Sequence, residues 1–304
     1  MVILGSGYIG LALARVALAS GEPVAALTRN AARAAELRAL GVDPIVVADL
    51  AALDWHSALN PADADIINCV SPSSSGVEGY QHSFLAGFAS VKSWLQKSAT
   101  GGFAPPRSVV FTSSTAVYPQ TDGSWVDETT PVKSENLSPT GVVLRQAEEQ
   151  WLALSPHLAQ RAWVLRLGGI YGPSRHHLLD ALRRGEKTFP GGGDHWVNLI
   201  YRDDIVTAIQ ACISAGTETP GGIFNVVDNE PMRKRDLVAW LAQHIGQDPA
   251  NLNFDSSGNA RSLHRRTANG VIPDRKILSS KLQKAVNWSP VSHSYREGYR
   301  LILG

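Results

Sequence analysis

Three glycines near the start of the chain constrain its fold more than any other feature. Gly5, Gly7 and Gly10 follow the apolar run Val2-Ile3-Leu4, and the segment Leu11–Ala19, rich in helix-forming residues, comes next. A strand, a G-x-G-x-x-G turn and a helix in this order are the fingerprint of a dinucleotide-binding unit. In such a turn the first glycine permits the sharp bend, the second lets a pyrophosphate approach, and the third packs helix on strand.

The same turn predicts which groups would contact a cofactor. The N–H groups and the positive dipole end of the first helix would face the phosphates. The alternative is a glycine turn that serves the architecture alone. The expected cofactor-binding residues of the turn are Gly5, Ser6, Gly7, Tyr8, Ile9 and Gly10.

Alternation of apolar runs with helical segments predicts the fold class. Five further runs read as strands, at residues 23–28, 44–50, 64–70, 108–112 and 162–167. Strands that alternate with helices indicate an α/β fold with a doubly wound, Rossmann-type parallel sheet. We expect a dinucleotide-binding domain at 1–171, completed by about 196–228, and a smaller substrate-binding region at 172–195 and 229–304.

Composition narrows the class of protein. The chain has 304 residues, is 44% hydrophobic and carries a net charge of +1, which gives no reason to expect nucleic acid or an anionic membrane as a partner. No apolar stretch approaches the ~18 residues that a membrane span needs. Cys69 and Cys212 are isolated and lack metal-ligand spacing. A reduced, cytoplasmic protein without a metal site is the simplest expectation.

The end of the second strand bears on the choice of coenzyme. An NAD site usually has a carboxylate here to bind the adenosine ribose, but this chain has Thr28-Arg29-Asn30. A guanidinium pairs well with a 2′-phosphate, so we favour NADP over NAD, with Arg29 as its ligand. The alternative is that Arg29 is a solvated residue at the start of the next helix.

Two other strand ends add candidate cofactor contacts. Asp49 ends the third strand, where it would accept a hydrogen bond from the adenine amino group or cap a helix beginning at Ala51. Val70 and Ser71 end the fourth strand and open a polar loop, on the side of an open α/β sheet where ligands bind.

The order and spacing of six motifs resemble the extended and atypical short-chain dehydrogenase/reductase superfamily, in its NAD(P)-dependent epimerase/dehydratase group. These motifs occupy residues 5–10, 48–50, 111–118, 166–173, 197–204 and 224–228. The closing residues 292–299 and the pair Thr28-Arg29 look most like a small atypical subgroup. The resemblance implies an NAD(P)-binding oxidoreductase or an epimerase/dehydratase-like enzyme for a polar small molecule such as a sugar nucleotide.

The chain departs from this family at the catalytic pair. Members that perform redox chemistry carry Tyr-x-x-x-Lys on the helix after residue 139, where the tyrosine moves a proton and the lysine holds the nicotinamide ribose. Alignment of the helix on Glu148 places Thr140 and Leu144 in these roles, and a slip of one residue places Gly141 and Arg145 there. Arg145 could hold a ribose, but none of the four replaces the tyrosine.

Other residues are candidates for the missing chemistry. Ser114 matches the family serine that hydrogen-bonds the substrate oxygen, or else caps its loop. Tyr118 and Tyr171 are candidate proton donors, and the alternative for each is a buried tyrosine. Glu128 would face the cleft or be solvated. Three basic residues would bind an anionic group of the substrate or form a solvated face: Arg261, Arg265 and Arg266.

Two hypotheses of function therefore compete. The first is an enzyme, and the second is a non-catalytic NADP(H)-binding sensor, which the missing Tyr-x-x-x-Lys favours. A homodimer through helices at 80–97 and 141–154 is a further hypothesis. Its apolar side chains would serve the dimer or pack on the sheet: Phe84, Leu85, Phe88, Val91 and Trp94.

Overall fold

Seven parallel strands form the central sheet of this computed structural model, which describes residues 1–154, 156–255, 268 and 270–304. In chain order the strands of the described residues are β1 (Val2–Leu4), β2 (Ala25–Thr28), β3 (Ile45–Val47), β4 (Asp65–Asn68), β5 (Ser108–Ser114), β6 (Ser124–Val126), β7 (Ala162–Leu167), β8 (Gly169–Tyr171), β9 (Thr188–Pro190), β10 (Trp196–Val197), β11 (Leu199–Tyr201), β12 (Gly222–Val226), β13 (Met232–Arg233), β14 (Asn253–Asp255) and β15 (Arg275–Ile277).

The helices of the described residues cover the sheet and build the later part of the chain. They are α1 (Tyr8–Ala19), α2 (Ala31–Ala39), α3 (Val77–Tyr80), α4 (Gly87–Thr100), α5 (Pro139–Leu152), α6 (His177–Arg183), α7 (Arg202–Ser214), α8 (Lys234–His244), α9 (Ser280–Val286) and α10 (Tyr295–Leu303). A π-helical segment, Gln81–Ala86, joins α3 to α4 without a break. No helix in this described part is long and apolar enough to cross a membrane.

The strand order confirms the predicted doubly wound Rossmann-type sheet. The order is β12-β7-β5-β4-β1-β2-β3, and each neighbouring pair is parallel. The chain winds outward from β1 to β3 and then returns to β4 on the other side of β1. Ligands of open α/β sheets bind at such a switch point, outside the carboxyl ends of the strands.

Side chains of the sheet pack into two separate hydrophobic cores. In β1, Ile3 packs with α1 and α7, whereas Val2 and Leu4 pack with α4 and α5. Successive side chains of a strand point to opposite faces, so the two cores lie on the two sides of the sheet. A third cluster, made only of residues from Tyr171 onward, contains buried side chains of α6, α8 and α10.

The apolar side chains of the dimer hypothesis pack inside the chain. Phe88 packs edge-on against Trp151, with ring centroids 5.1 Å apart, and Trp94 meets Trp55 at 5.0 Å. Phe84 and Val91 are also buried in the core that α4 and α5 share. These four side chains therefore pack on the sheet, which is the second of the two alternatives for this face.

The segment 195–201, whose sequence pattern is typical of a single strand, is divided in the structure. Trp196–Val197 pairs with β13, whereas Leu199–Tyr201 pairs with β8. Asn198 lies between them, and its side chain donates to the carbonyl of Arg275 at 2.9 Å and accepts from the N–H of Ile277 at 2.8 Å. The break arises because the two halves follow different partner strands and Asn198 binds β15.

Two further expectations about local structure were wrong. No helix begins at Ala51, because the residues after Asp49 form a turn that leads to the 3₁₀ segment Asp54–Ser57. The region 120–139, whose polar and turn-rich sequence is typical of a loop, contains β6, which pairs in parallel with β15. That partner lies about 150 residues away along the chain, so a local pattern could not reveal it.

Candidate functional site

A cleft of about 210 Å³ opens at the carboxyl ends of β1 to β4. Its lining includes seven of the predicted cofactor residues: Gly5, Ser6, Gly7, Arg29, Asp49, Val70 and Ser71. Sequence reasoning missed the rest of the lining: Leu27, Thr28, Asn30, Ala48, Leu50, Cys69 and Ser83. The missed residues are neighbours of the predicted ones on the same strand ends, except Ser83, which the π-helical segment brings in.

Backbone geometry explains the spacing of the glycines. Gly5 has φ +86°, and a Cβ there would lie 2.7 Å from Val70. A Cβ at Gly10 would lie 2.6 Å from the Gly5 carbonyl oxygen. A Cβ at Gly7 would meet no atom of the described chain within 4 Å, so this residue borders open space. The first and third glycines therefore shape the turn, and the second leaves room beside it.

The amino end of α1 is suited to an anion. Its described first turn contains no acidic residue, and no side chain of the described residues caps it. The first N–H groups of a helix lack partners within the helix, and the dipole places positive charge there. Ile9 contributes its side chain to the core, so any contact it makes with a cofactor would be through its backbone. The turn and helix end fit the pyrophosphate of a dinucleotide.

Tyr8 connects this turn to the loop after β8. Its hydroxyl donates to the carbonyl of Pro173 at 2.9 Å, and burial raises its pKa, which keeps the proton in place. The guanidinium carbons of Arg175 and Arg202 each lie 5.3 Å from the centre of its ring. Two positive charges therefore flank the ring that follows Gly7.

At the other end of the cleft, Arg29 meets Asp49. The guanidinium Nη1 lies 3.5 Å from Asp49 Oδ2, and Asp49 Oδ1 accepts from the N–H of Ala51 at 2.8 Å. His82 Nε2 contacts the same Oδ1 at 3.0 Å. Asn30 caps α2 by accepting from Arg33 N–H. Arg29 therefore precedes the helix without capping it and lies at the mouth of the cleft with 46% of its side chain exposed.

Ser114 lies at the carboxyl end of β5 and is half-buried. Its Oγ accepts from the N–H of Ala116 at 3.1 Å, which is the loop-capping role expected as the alternative. A hydroxyl that accepts one hydrogen bond still has its own proton to donate. The capping contact would orient this proton and leaves it available to a substrate oxygen.

Tyr118 is fully buried and has two partners in the core. Its hydroxyl donates to Asn225 Oδ1 at 2.9 Å and accepts from Arg166 Nη1 at 2.8 Å. Burial raises the pKa of Tyr118, although Arg166 acts against the shift. This is the arrangement expected of a buried tyrosine with a satisfied hydroxyl, which was the alternative to a proton donor.

The positions of the family's catalytic pair are occupied by core residues. Thr140 and Leu144 are both buried on α5. One turn further along, Glu148 is completely buried and receives two hydrogen bonds from Arg166, at 3.0 and 2.8 Å. Arg145 donates to the same carboxylate at 2.8 Å. Among the residues that the structure describes, Arg145 thus belongs to this buried ionic cluster and does not line the cleft.

Tyr171 is also buried, but its hydroxyl has no hydrogen-bond partner among the described residues. Its ring stacks on Tyr299 with centroids 4.6 Å apart and meets Tyr201 edge-on. Burial raises the pKa of Tyr171, and the nearby Asp228 carboxylate raises it further. The structure therefore places Tyr171 within an aromatic cluster of the later part of the chain.

Of the four remaining candidate residues, the structure describes Glu128 alone. Glu128 is part-buried and accepts from the N–H of Asn225 at 2.6 Å, so its carboxylate is held at β12. Arg261, Arg265 and Arg266 lie outside the described residues. Within the described part of the chain, no three His, Cys, Asp or Glu side chains are grouped to hold a metal ion.

The buried cluster around Glu148 was the feature that sequence reasoning did not anticipate. Ser113 donates to Glu148 Oε1 at 2.6 Å, which connects β5, α5 and β7 through one carboxylate. The signal was present, because Arg166 is the one charged residue in the otherwise apolar strand Ala162–Leu167. A charge in a buried strand requires a partner, and Glu148 lies on the buried side of α5.

Comparison with known proteins gives consistent matches. The sequence model of the NAD dependent epimerase/dehydratase family matches residues 1–226. Protein YeeZ of Escherichia coli K12 is 30% identical over 272 residues, covering 86% of this chain and 90% of that protein. A 3-diazoavenalumate denitrifying reductase of a Streptomyces species is 27% identical and covers 98% of both chains.

The solved structures that resemble this chain share its fold. UDP-glucuronic acid 4-epimerase of Bacillus cereus, in complex with UDP-glucuronic acid and NAD, superposes with a TM-score of 0.76. The superposition covers 99% of each chain at 19% sequence identity. At this level of identity the likeness concerns the fold alone.

Proposed function

This chain belongs to the NAD dependent epimerase/dehydratase family, and from that membership we propose that it is an NADP(H)-dependent oxidoreductase of a polar small molecule. NAD(H) would be the weaker coenzyme. The observation that supports this most is the cleft at the switch point of the sheet, where the glycine turn, the uncapped end of α1 and Arg29 lie together. When bound, the nicotinamide supplies or accepts the hydride.

The proposed contacts of the cofactor follow the cleft. Gly5, Ser6 and Gly7 would receive the pyrophosphate at the end of α1, and Arg29 would pair with the 2′-phosphate. Val70 and Ser71 would cover the middle of the molecule at the end of β4. Tyr8, with its two flanking arginines, and Arg145, on the side of α5, are secondary candidates.

Ser114 is the proposed catalytic residue. Its side chain is half-buried at a strand end, and its hydroxyl would donate a hydrogen bond that polarises the reacting oxygen of a substrate. Tyr118 and Tyr171 were the other candidates, but the structure buries both rings in packed clusters. The 3-diazoavenalumate denitrifying reductase supports a reductase activity over an epimerase or dehydratase activity. A net reduction needs a hydride from the coenzyme and one proton, which solvent water can supply to the product oxygen, whereas an epimerase or dehydratase must also remove a proton from its substrate.

The substrate would be bound by the smaller region at 172–195 and 229–304. A sugar nucleotide, the ligand class of the Bacillus cereus epimerase, is one candidate. The third core cluster supports this region, because eleven of its thirteen buried members lie within these bounds, the other two being Tyr171 and Tyr201. Cys69 and Cys212 are free and buried, which supports a reduced, cytoplasmic environment.

A non-catalytic sensor of NADP(H) is the second candidate. The observation that favours it is the burial of Thr140 and Leu144, where redox-active relatives carry a proton donor and a ribose ligand. A sensor needs the coenzyme site and no reacting group beside it. A coenzyme oxidation assay with Ser114→Ala would distinguish the two, because only the enzyme has a turnover that this substitution can reduce.

The test of the proposal is calorimetric titration with NADPH and with NADH. We expect NADPH to bind the wild type more tightly, and Arg29→Ala to weaken NADPH by roughly tenfold or more, because charge-assisted hydrogen bonds contribute about 1.5–3 kcal/mol. The affinity of Arg29→Ala for NADH should differ from that of the wild type by less than about twofold. Arg38→Ala removes an exposed arginine of α2 outside the cleft and is the matched control. Failure of the wild type to bind either coenzyme would overturn the proposal.

A further inference from the structure

Three charged or ionisable side chains from three separate elements meet at the outer edge of the cleft. Arg29 follows β2, Asp49 follows β3, and His82 lies on the π-helical segment between α3 and α4. Their side chains are 46%, 34% and 48% exposed, respectively. Asp49 occupies the centre, with Arg29 3.5 Å from one carboxylate oxygen and His82 3.0 Å from the other.

The two oxygens of Asp49 have different tasks. Oδ1 accepts from the N–H of Ala51 and so holds the turn after β3, whereas Oδ2 faces only Arg29 among the contacts of the described residues. Burial acts to raise the pKa of Asp49, but the hydrogen bonds from Ala51 and His82 outweigh it and lower the pKa. The carboxylate is therefore charged at neutral pH and attracts both basic side chains.

A 2′-phosphate on the adenosine ribose would bind the same two side chains that Asp49 contacts, Arg29 and His82. Phosphate and carboxylate are both anions that accept several hydrogen bonds, and arginine pairs with either in the same fork geometry. The proposed function assigns Arg29 to this phosphate, yet in the structure a carboxylate already faces its guanidinium. Binding of the phosphate must therefore compete with an existing ion pair.

We propose that Asp49 is an internal competitor for the coenzyme's 2′-phosphate, holding Arg29 and His82 at the cleft mouth until the phosphate takes its place. This inference rests on the proposed function and deepens it. NADH has no 2′-phosphate, so it leaves the Arg29–Asp49 pair intact. NADPH gains Arg29 and His82 but loses the attraction between those side chains and Asp49. The preference for NADPH is accordingly weaker than Arg29 alone would give.

The substitution Asp49→Asn separates the charge of Asp49 from its hydrogen bond with the N–H of Ala51. An amide oxygen still accepts from Ala51 N–H, and only the negative charge is lost. Asp49→Asn should therefore raise the affinity for NADPH by about fivefold, which corresponds to the upper range for an exposed ion pair. The affinity for NADH should change by less than about twofold. Asp54→Asn is the matched control, because it removes the same charge from an exposed residue that does not line the cleft.

The experiment is titration calorimetry with NADPH and NADH on the wild type, Asp49→Asn, Arg29→Ala and the double variant. If Asp49 acts through Arg29, the gain for NADPH should disappear in the Arg29→Ala background. His82→Gln should weaken NADPH by about threefold and spare NADH, because one of the two basic side chains is lost. Asp54→Asn should leave the ratio of the two affinities within about twofold of the wild type.

Two results would overturn the inference while the proposed function stands. One is that Asp49→Asn changes NADPH and NADH equally or not at all. The other is that the gain for NADPH persists without Arg29. Failure of the wild type to bind both coenzymes is a separate outcome, which overturns the proposed function and this inference together.

Discussion

Tyr118 and Tyr171 both lie next to a strand end and are both buried, but their hydroxyl groups differ in hydrogen bonding. Tyr118 donates to Asn225 and accepts from Arg166, so its hydroxyl is part of the buried network that includes Glu148. Tyr171 packs equally deep, but its hydroxyl has no partner among the described residues. The phenol ring stabilises the fold in both, whereas the hydroxyl does so in only one.

Removal of the two hydroxyls should have opposite consequences. Tyr118→Phe should lower the free energy of unfolding by about 1–3 kcal/mol, because Arg166 and Asn225 are left with an unsatisfied donor and acceptor. Tyr171→Phe should change it by less than about 0.5 kcal/mol or increase it, because an unpaired buried hydroxyl is removed. Urea unfolding measures both values.

The same pair of variants tests the catalytic role considered for Tyr118. Coenzyme affinity should match that of the wild type in both. If Tyr118→Phe kept its stability and its affinity but lost turnover, Tyr118 would be the proton donor after all, and the assignment to the core would be wrong.

At the scale of elements, α7 is joined to the end of the chain through its first turn. Asp203 and Asp204 lie in this first turn, where acidic residues suit the helix dipole. Asp204 also accepts from the N–H groups of Val291 and Ser292, at 2.6 and 3.2 Å. Asp203 pairs with Arg202 instead. Burial raises the pKa of Asp204, although the two N–H groups act against the shift.

This carboxylate should make stability depend on pH in a defined direction. Because its pKa is higher in the folded chain than in the unfolded chain, its titration favours folding below the unfolded pKa and loses this effect as pH rises through the folded pKa. We expect the unfolding free energy of the wild type, relative to Asp204→Asn, to fall as the pH rises from the ordinary aspartate pKa of about 4 through the higher pKa of Asp204 in the folded chain. The variant supplies the control, because Asn does not titrate.

Urea unfolding of both proteins across this range measures the difference. A difference that grew with pH would contradict the expectation. It would mean that the hydrogen bonds from Val291 and Ser292 outweigh burial and hold the carboxylate in its charged form.

At the scale of the whole molecule, the cleft is formed by the ends of four strands, so a coenzyme bound there would stabilise the sheet as a unit. Residues at the ends of β1, β2, β3 and β4 all contribute to its lining. A ligand that binds only the folded state raises the free energy of unfolding by mass action. Coenzyme binding should consequently be visible in the thermal stability of the whole chain.

NADPH at about 100 times its dissociation constant should add about 2.7 kcal/mol to the free energy of unfolding and raise the Tm by about 4 °C. At the same concentration the rise in Arg29→Ala should shrink to that produced by NADH, because the 2′-phosphate contact is lost. Differential scanning fluorimetry gives the Tm values, and adenosine without phosphates serves as the ligand control. An equal rise with NADPH in the wild type and in Arg29→Ala would contradict the assignment of Arg29.

Local patterns in the sequence were sufficient for the sheet and for half of the cleft. The apolar runs, the glycine spacing and the strand–helix alternation predicted the Rossmann-type sheet, and the order of its strands confirms it. Gly5 and Gly10 could be assigned because the turn depends on the positive φ of Gly5 and on the approach of Gly10 to the Gly5 carbonyl, although the contact of Gly5 with Val70 is nonlocal. Strand ends are likewise local features, which is why Arg29, Asp49 and Ser71 could be named.

Only the tertiary structure decided which side chains meet across elements. Glu148 and Arg166, Tyr118 and Asn225, and Asp49 and His82 are each separated by 18 residues or more along the chain. The amino-acid type shows that a buried charge needs a partner, but the partner depends on strand order and helix packing, which arise from the sum of many nonlocal contacts. For the same physical reason the sequence indicated Tyr118 as a candidate proton donor, whereas its contacts with Arg166 of β7 and Asn225 of β12 hold it in the core.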